Sequence, residues 1–227
     1  MKIKPLVPGN TQGLEDIAEA LLNAKEQEAS APQKQGMIYV PSLDLYFTGS
    51  RILCKTKWQV CKDELKKQGM AMPTPFQFKE FLKYLRDSSE QKHKELYNEI
   101  AQVREPWRSA WLNARFEEKN GLYMICEDAL VNGQLKTIEQ KLDDVLMNDK
   151  TPGIDMNEWL NSSAKHGLPE KKIKTCSLWY FYPRSGRVAW FDANSGRVYL
   201  DCNGDPDYSN SALGVFGVIS GKAPKKI

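Results

Sequence analysis

Histidine is nearly missing from this chain, with two in 227 residues, His93 and His166. Both stand in polar, lysine-rich stretches and are expected at the surface, which leaves little material for histidine-based acid–base chemistry or metal ligation. Cysteine is scarce too. The five residues Cys54, Cys61, Cys126, Cys176 and Cys202 are odd in number and include no C-x-x-C pair, so neither a disulfide framework nor a zinc site is indicated, and buried, reduced thiols are expected. No stretch approaches the roughly 18 apolar residues of a membrane span. A glycine-rich phosphate loop is absent, and a net charge of +3 gives little pull toward nucleic acid. The opening residues Met1 to Pro8 contain no apolar core of a secretory signal, so the chain is expected to work in the cytoplasm or on a virus particle.

What is present suits a globular protein: 41% hydrophobic and 27% charged residues, in a chain long enough to bury a proper core. Leu14, Ile17, Ala18, Leu21 and Leu22 share one helical face, and a polar, turn-rich linker follows to Gly36. Residues 1–36 thus read as an arm with an amphipathic helix that offers a route to self-association. From Met37 short strands are expected at 37–40 and 43–47. Two helices follow, with Thr56 and Gln59, then Thr74, Pro75 and Gln77, matching the capping-box pattern. Trp58, Cys61 and Leu65 line the first; Phe78, Phe81, Leu82 and Leu85 line the second. A third helical stretch spans about 89–104 and stops before Pro106. Asn120-Gly121 and Asn132-Gly133 mark hairpin turns, and 138–169 reads as loop. Helices early and irregular strands late indicate an α+β domain over 37–221, followed by a tail, 222–227.

Residues 187–203 carry two alternating runs. Ala189, Phe191 and Ala193 share one face of the first, with Trp190, Asp192 and Asn194 on the other. Val198, Leu200 and Cys202 alternate with Tyr199, Asp201 and Asn203 in the second. Asp207, Tyr208 and Asn210 extend the outward set through a loop, and residues 212–219 read as a final buried strand. The inward residues Ala189, Phe191, Val198, Leu200, Leu213 and Val215 would form the scaffold. A solvated face usually carries Lys and Glu. This one carries aromatic and short polar side chains, which give large contact area and adaptable hydrogen bonding at low entropy cost, as antibody combining sites do.

The string from Arg187 to Cys202, with Asp205-Pro206 and Ser209-Asn210-Ser211-Ala212-Leu213-Gly214-Val215, resembles the variable region of diversity-generating retroelement target proteins, most closely those of archaea and archaeal viruses. The match covers about forty residues. In that family a reverse transcriptase rewrites the end of the gene with errors at template adenines, and adenine-rich codons drift among Asn, Asp, Tyr and Ser. The resemblance implies a C-type-lectin-like fold related to formylglycine-generating enzymes, with two main helices, irregular antiparallel strands and a variable ligand-binding region at about 180–219. It further implies a receptor-type binding protein with no catalytic residues, cofactor or resident metal, whose partner is a protein or other cell-surface molecule, with no nucleic acid bound and no membrane inserted. The sequence departs from the pattern at Phe216, where related domains often place arginine.

Two other readings stay open. A formylglycine-generating-type oxidase needs closely placed cysteines, and Cys176 and Cys202 are far apart. A fixed-specificity, calcium-dependent lectin would use the oxygens of Asp201, Asn203, Asp205 and Asp207, but Gly204 and Ala212 do not fit the helix–loop–helix calcium pattern.

Overall fold

The computed structural model describes residues 34–102, 105–171 and 174–221. The amphipathic segment Leu14–Leu22, its linker as far as Gln33, Val103 and the 222–227 tail lie outside them. The chain separates into two units, Met1–Gln35 and Gly36–Ile227, and the second holds every element that follows.

Two short strands, β1 (Met37–Val40) and β2 (Leu45–Thr48), precede three helices, α1 (Trp58–Lys67), α2 (Pro75–Asp87) and α3 (Gln91–Ala101). A meander of long strands comes next: β3 (Arg108–Lys119), β4 (Gly121–Val131) and β5 (Gln134–Lys141). After β6 (Lys150–Ile154) and α4 (Met156–Asn161) come β7 (Leu178–Phe181), β8 (Val188–Ala193), β9 (Val198–Gly204), β10 (Leu213–Val215) and β11 (Val218–Ser220). The large sheet has the order β5-β4-β3-β8-β9-β7-β6, with β10 alongside the first half of β3, and a small sheet has the order β1-β2-β11. Pairing is antiparallel except at β7–β9 and β10–β3. The molecule is a mixed α+β protein whose sheets are mainly antiparallel, and no helix among the described residues is long and apolar enough to cross a membrane.

Local chemistry explains most element ends. Thr74 caps α2 by accepting from the Gln77 amide at 3.2 Å, and Gln77 Oε1 returns the bond to the Thr74 amide at 3.0 Å. Pro75 fills the first helical position, where its missing N–H costs nothing. Asn132 and Gly133, both at positive φ (52° and 79°), make the two-residue turn that sets Val131 opposite Gln134. The other hairpin closes tighter than the Asn120-Gly121 dipeptide suggests, for Lys119 lies opposite Gly121 and Asn120 alone turns the corner.

Phe191, Leu200, Ala189 and Val198 share the inner side of the large sheet, facing α2 and α4. There the Phe78 and Phe191 rings stand 5.5 Å apart and Trp159 stacks on Phe191 at 6.1 Å. Each fully buried ring contributes roughly 1.5–3 kcal/mol. On the outer side a smaller cluster joins Trp58, Cys61 and Leu65 of α1 to Trp111, Val188, Leu213 and Val215. It covers the outer side of β3 and the start of β8, while Trp179, Phe181, Tyr199 and Asp201 on β7 and β9 remain half-buried.

Several expectations are corrected. Lys57, not Thr56, precedes α1, and no side chain caps it. The segment before it is held from elsewhere: Lys55 donates to the Asn210 and Leu213 carbonyls, Trp58 donates to Pro206 O at 3.2 Å, and Thr56 O accepts from the Trp111 indole. His93 and His166 are buried, not at the surface. Ser88 Oγ lies 2.8 Å from His93 Nδ1, and His166 Nδ1 accepts from the Leu168 amide, so local bonds meet the polar demand that the lysine-rich context suggested solvent would meet. Cys54 and Cys176 are exposed; Cys61, Cys126 and Cys202 are buried. Residues 138–169 are not all loop, since they hold the end of β5, then β6 and α4, whose six residues are too few for a visible period and whose start is Asp155 accepting from Glu158 N. The closing stretch is two strands: β10 joins β3, Phe216 turns inward against Phe78 and Phe81, and β11 joins β2.

Candidate functional site

Register places the outward residues. Across β8 and β9, Trp190 lies opposite Asp201 and Asp192 opposite Tyr199. Across β9 and β7, Tyr199 lies opposite Trp179 and Asp201 opposite Phe181. Side chains at paired positions share a face, so these residues form one outer patch, three strands wide. The frame lies elsewhere in two groups. Ala189, Phe191, Val198 and Leu200 are buried on the inner side, and Leu213 and Val215 are buried in the outer cluster with Trp111.

Two aromatic groups occupy the patch. On β7 and β9, Trp179 meets Tyr199 edge-on at 5.6 Å and Phe181 stacks on Tyr199 at 5.9 Å. The Arg197 guanidinium lies 3.5 Å over Trp179, with its Nη1 3.4 Å from the Tyr199 hydroxyl. Toward β3, Trp190 packs between Trp111 at 5.1 Å and Tyr208 at 5.9 Å, and Trp107 closes the group 6.2 Å from Tyr208. Trp190 can lie across the end of β9 because residue 204 is glycine: a Cβ there would come within 2.9 Å of the indole and of the Val188 carbonyl.

Asp192 departs from expectation. Its register position faces outward, yet it is only 8% exposed. The Trp107 side chain hydrogen-bonds it, while its Oδ1 has no hydrogen-bond partner. Burial pushes its carboxyl up to about 7, against the pull of Trp107 and with a further push from Asp201. Asp201 is raised to about 6, again chiefly by burial, although the Asn203 amide donates to its Oδ1 at 2.7 Å. The buried indole nitrogen of Trp190 is likewise unbonded.

The remaining outward residues sit in turns, except Asn203. Asn194 Oδ1 accepts from Gly196 N, and Asn210 Oδ1 accepts from Ala212 N, each holding its own loop. Asn203 is half-buried at the end of β9. Asp207 pairs with Lys57 at 3.0 Å and Tyr208 is 40% exposed. Asp205 accepts from Asp207 N, so the four alternating oxygen-bearing residues 201–207 spread over a strand and a turn. Among the described residues no three His, Cys, Asp or Glu side chains converge in a metal-holding geometry.

Trp179, Phe181, Trp107 and Trp111 were not singled out as site residues. Leu178-Trp179-Tyr180-Phe181 is apolar throughout, so the sequence does not show that only Leu178 and Tyr180 are fully buried. Trp107 and Trp111 reach the patch through the β3–β8 pairing, for which the local sequence carries no signal. A cleft of about 780 Å³ near Ser162, Glu158 and Glu170 lies apart from this face. Lys79 is buried beside it, donating to Ser162 O at 2.6 Å, and burial pushes its ammonium down; it serves a carbonyl at the end of α4.

The chain matches no family model, no curated protein and no solved structure.

Proposed function

We propose that the chain is a receptor-type binding module, a C-type-lectin-like scaffold whose stretch at about 180–219 is diversified by a retroelement and meets its ligand through the outer face of β7, β9 and β8. One observation carries this reading. On β8 and β9 the inner residues Phe191 and Leu200 are at most 1% exposed, whereas Trp190, Tyr199, Asp201 and Asn203 reach solvent from the opposite side. Side chains can therefore change on one side without opening cavities on the other. The pairing of β11 with β2 supports a domain that ties down the C-terminal end of the variable stretch. Asp192, being buried, belongs with the frame more than with the exchangeable set.

Sequencing the flanking DNA tests the proposal. A reverse transcriptase gene and a near-copy of the codons for 180–219, differing mainly at template adenines, is the expected result. An intact flank with neither removes diversification from the account.

A further inference from the structure

We propose that Cys54 and Cys61 form a reversible disulfide that latches the loop carrying Asp207, Tyr208 and Asn210. The bridge goes beyond the binding reading, and only its effect on ligand contact depends on that reading.

Geometry brings the two thiols to one turn. Cys54 is exposed on the segment between β2 and α1, and Cys61 is buried in the first turn of α1. The Cys61 thiol donates to the Leu53 carbonyl at 3.8 Å and to the Thr56 carbonyl at 3.7 Å, so it faces the turn on both sides of Cys54. The Leu53 carbonyl belongs to the peptide bond that joins Leu53 to Cys54, which puts Cys61 Sγ within roughly 7 Å of the Cys54 Cα. Leu53 and Lys55 flank Cys54 at positive φ, 52° and 63°, a conformation that residues with a Cβ adopt only at a cost. Turning the Cys54 side chain toward α1, with a small adjustment of this strained turn, closes the bridge.

The same segment anchors the loop before β10. Lys55 N donates to the Asn210 and Leu213 carbonyls at 3.1 Å each, Trp58 N donates to Pro206 O at 3.2 Å, and Lys57 pairs with Asp207. All three residues lie between Cys54 and Cys61. Cross-linking the ends of this segment removes freedom that its opening would release. The oxidised chain therefore lets go of the loop less often.

A low-molecular-weight disulfide, such as oxidised glutathione, is the oxidant. The Cys54 thiolate attacks one of its sulfurs, the S–S bond breaks, and one glutathione leaves with the bonding pair and takes up a proton. Cys61 then loses its proton to water and attacks the Cys54 sulfur of the mixed disulfide, which expels the second glutathione. Two protein thiols are oxidised and one small disulfide is reduced to two thiols. Arg51 lies near Cys54, while the neighbours of Cys61 in the outer cluster carry no charge. Burial pushes the Cys61 thiol up to about 12, with a further push from Cys54. The thiolate is the nucleophile, so closure is the slow step and quickens with pH.

Incubation of the full chain with oxidised glutathione at pH 7 and pH 9, followed by peptide mapping in the mass spectrometer, tests the bridge. A mixed disulfide at Cys54 is expected first. It converts to a Cys54–Cys61 bridge about tenfold faster per pH unit, and dithiothreitol reverses it. Cys61→Ala stops at the mixed disulfide, and Cys54→Ser forms neither species. Hydrogen exchange of the oxidised and reduced wild-type chain reads the latch. Exchange about threefold slower or more is expected at the Lys55 and Trp58 amides after oxidation, with the β3 and β4 amides unchanged. A mixed disulfide that persists at both pH values, pairing of Cys54 with Cys176, or pairing between two chains overturns the bridge. A bridge that leaves exchange at Lys55 and Trp58 unchanged, or speeds it, overturns the latch.

Discussion

At the residue scale, Asp192 shows how a position can face outward by strand parity and still be buried. Parity set its direction and was legible in the alternation of Ala189 to Ala193. Trp107, whose side chain hydrogen-bonds it, approaches from another part of the chain, and nothing near residue 192 announces it. The consequence is measurable. Because the folded carboxyl is held near 7 while the unfolded one titrates near its ordinary value, the folded state holds the extra proton between about pH 4 and 7. Stability from this group therefore falls as pH rises through that window, at no more than about 1.4 kcal/mol per pH unit. Asp192→Asn, whose amide is neutral throughout, is expected to match wild type near pH 4 in urea denaturation and to gain on it up to pH 7. A difference that does not change with pH contradicts the burial. On the inner side, Phe191→Ala is expected to cost about 3–5 kcal/mol, because its ring contacts Phe78 and Trp159. Tyr199→Ser, on the outer side of the same sheet, is expected to cost far less in the same denaturation series.

At the element scale, sequence reading succeeded where one local rule decides the outcome. The Thr74 cap has both bonds of its box, and Thr74→Ala is expected to lower stability by about 1 kcal/mol, seen as a lower thermal midpoint. Thr56 carries a similar motif and is no cap, because tertiary bonds to Pro206, Asn210 and Leu213 hold the residues around it. Thr56→Ala is accordingly expected to move the midpoint less than Thr74→Ala does. The alternation of β9 was fully legible, its burial running strictly in and out from Val198 to Gly204. The closing stretch was not, since the apolar run from Leu213 to Ile219 looks the same whether it stays in one sheet or crosses to another at Phe216 and Gly217. α4 escaped notice for want of length.

At the scale of the whole molecule, the large sheet separates two tasks. Its inner side joins α2, α3 and α4 into the main core. Its outer side is divided between a second cluster under α1 and the open patch on β7, β9 and β8. The α+β character was readable from the order of helices and strands, while the division of the outer side depends on where α1 and the loop before β10 come to rest, which only the tertiary structure discloses. The central claim is that this patch is exchangeable and the rest of the sheet is not. The most direct measurement is a displayed library randomised at Tyr199, Asp201, Asn203, Tyr208 and Asn210, leaving the packed Trp190 in place, sorted for protease resistance beside one randomised at Ala189, Phe191, Val198 and Leu200. The account predicts that most members of the first library stay folded, since surface changes usually fall within about 0.5 kcal/mol, and that nearly all of the second are digested. Equal loss of folded members from both would contradict it.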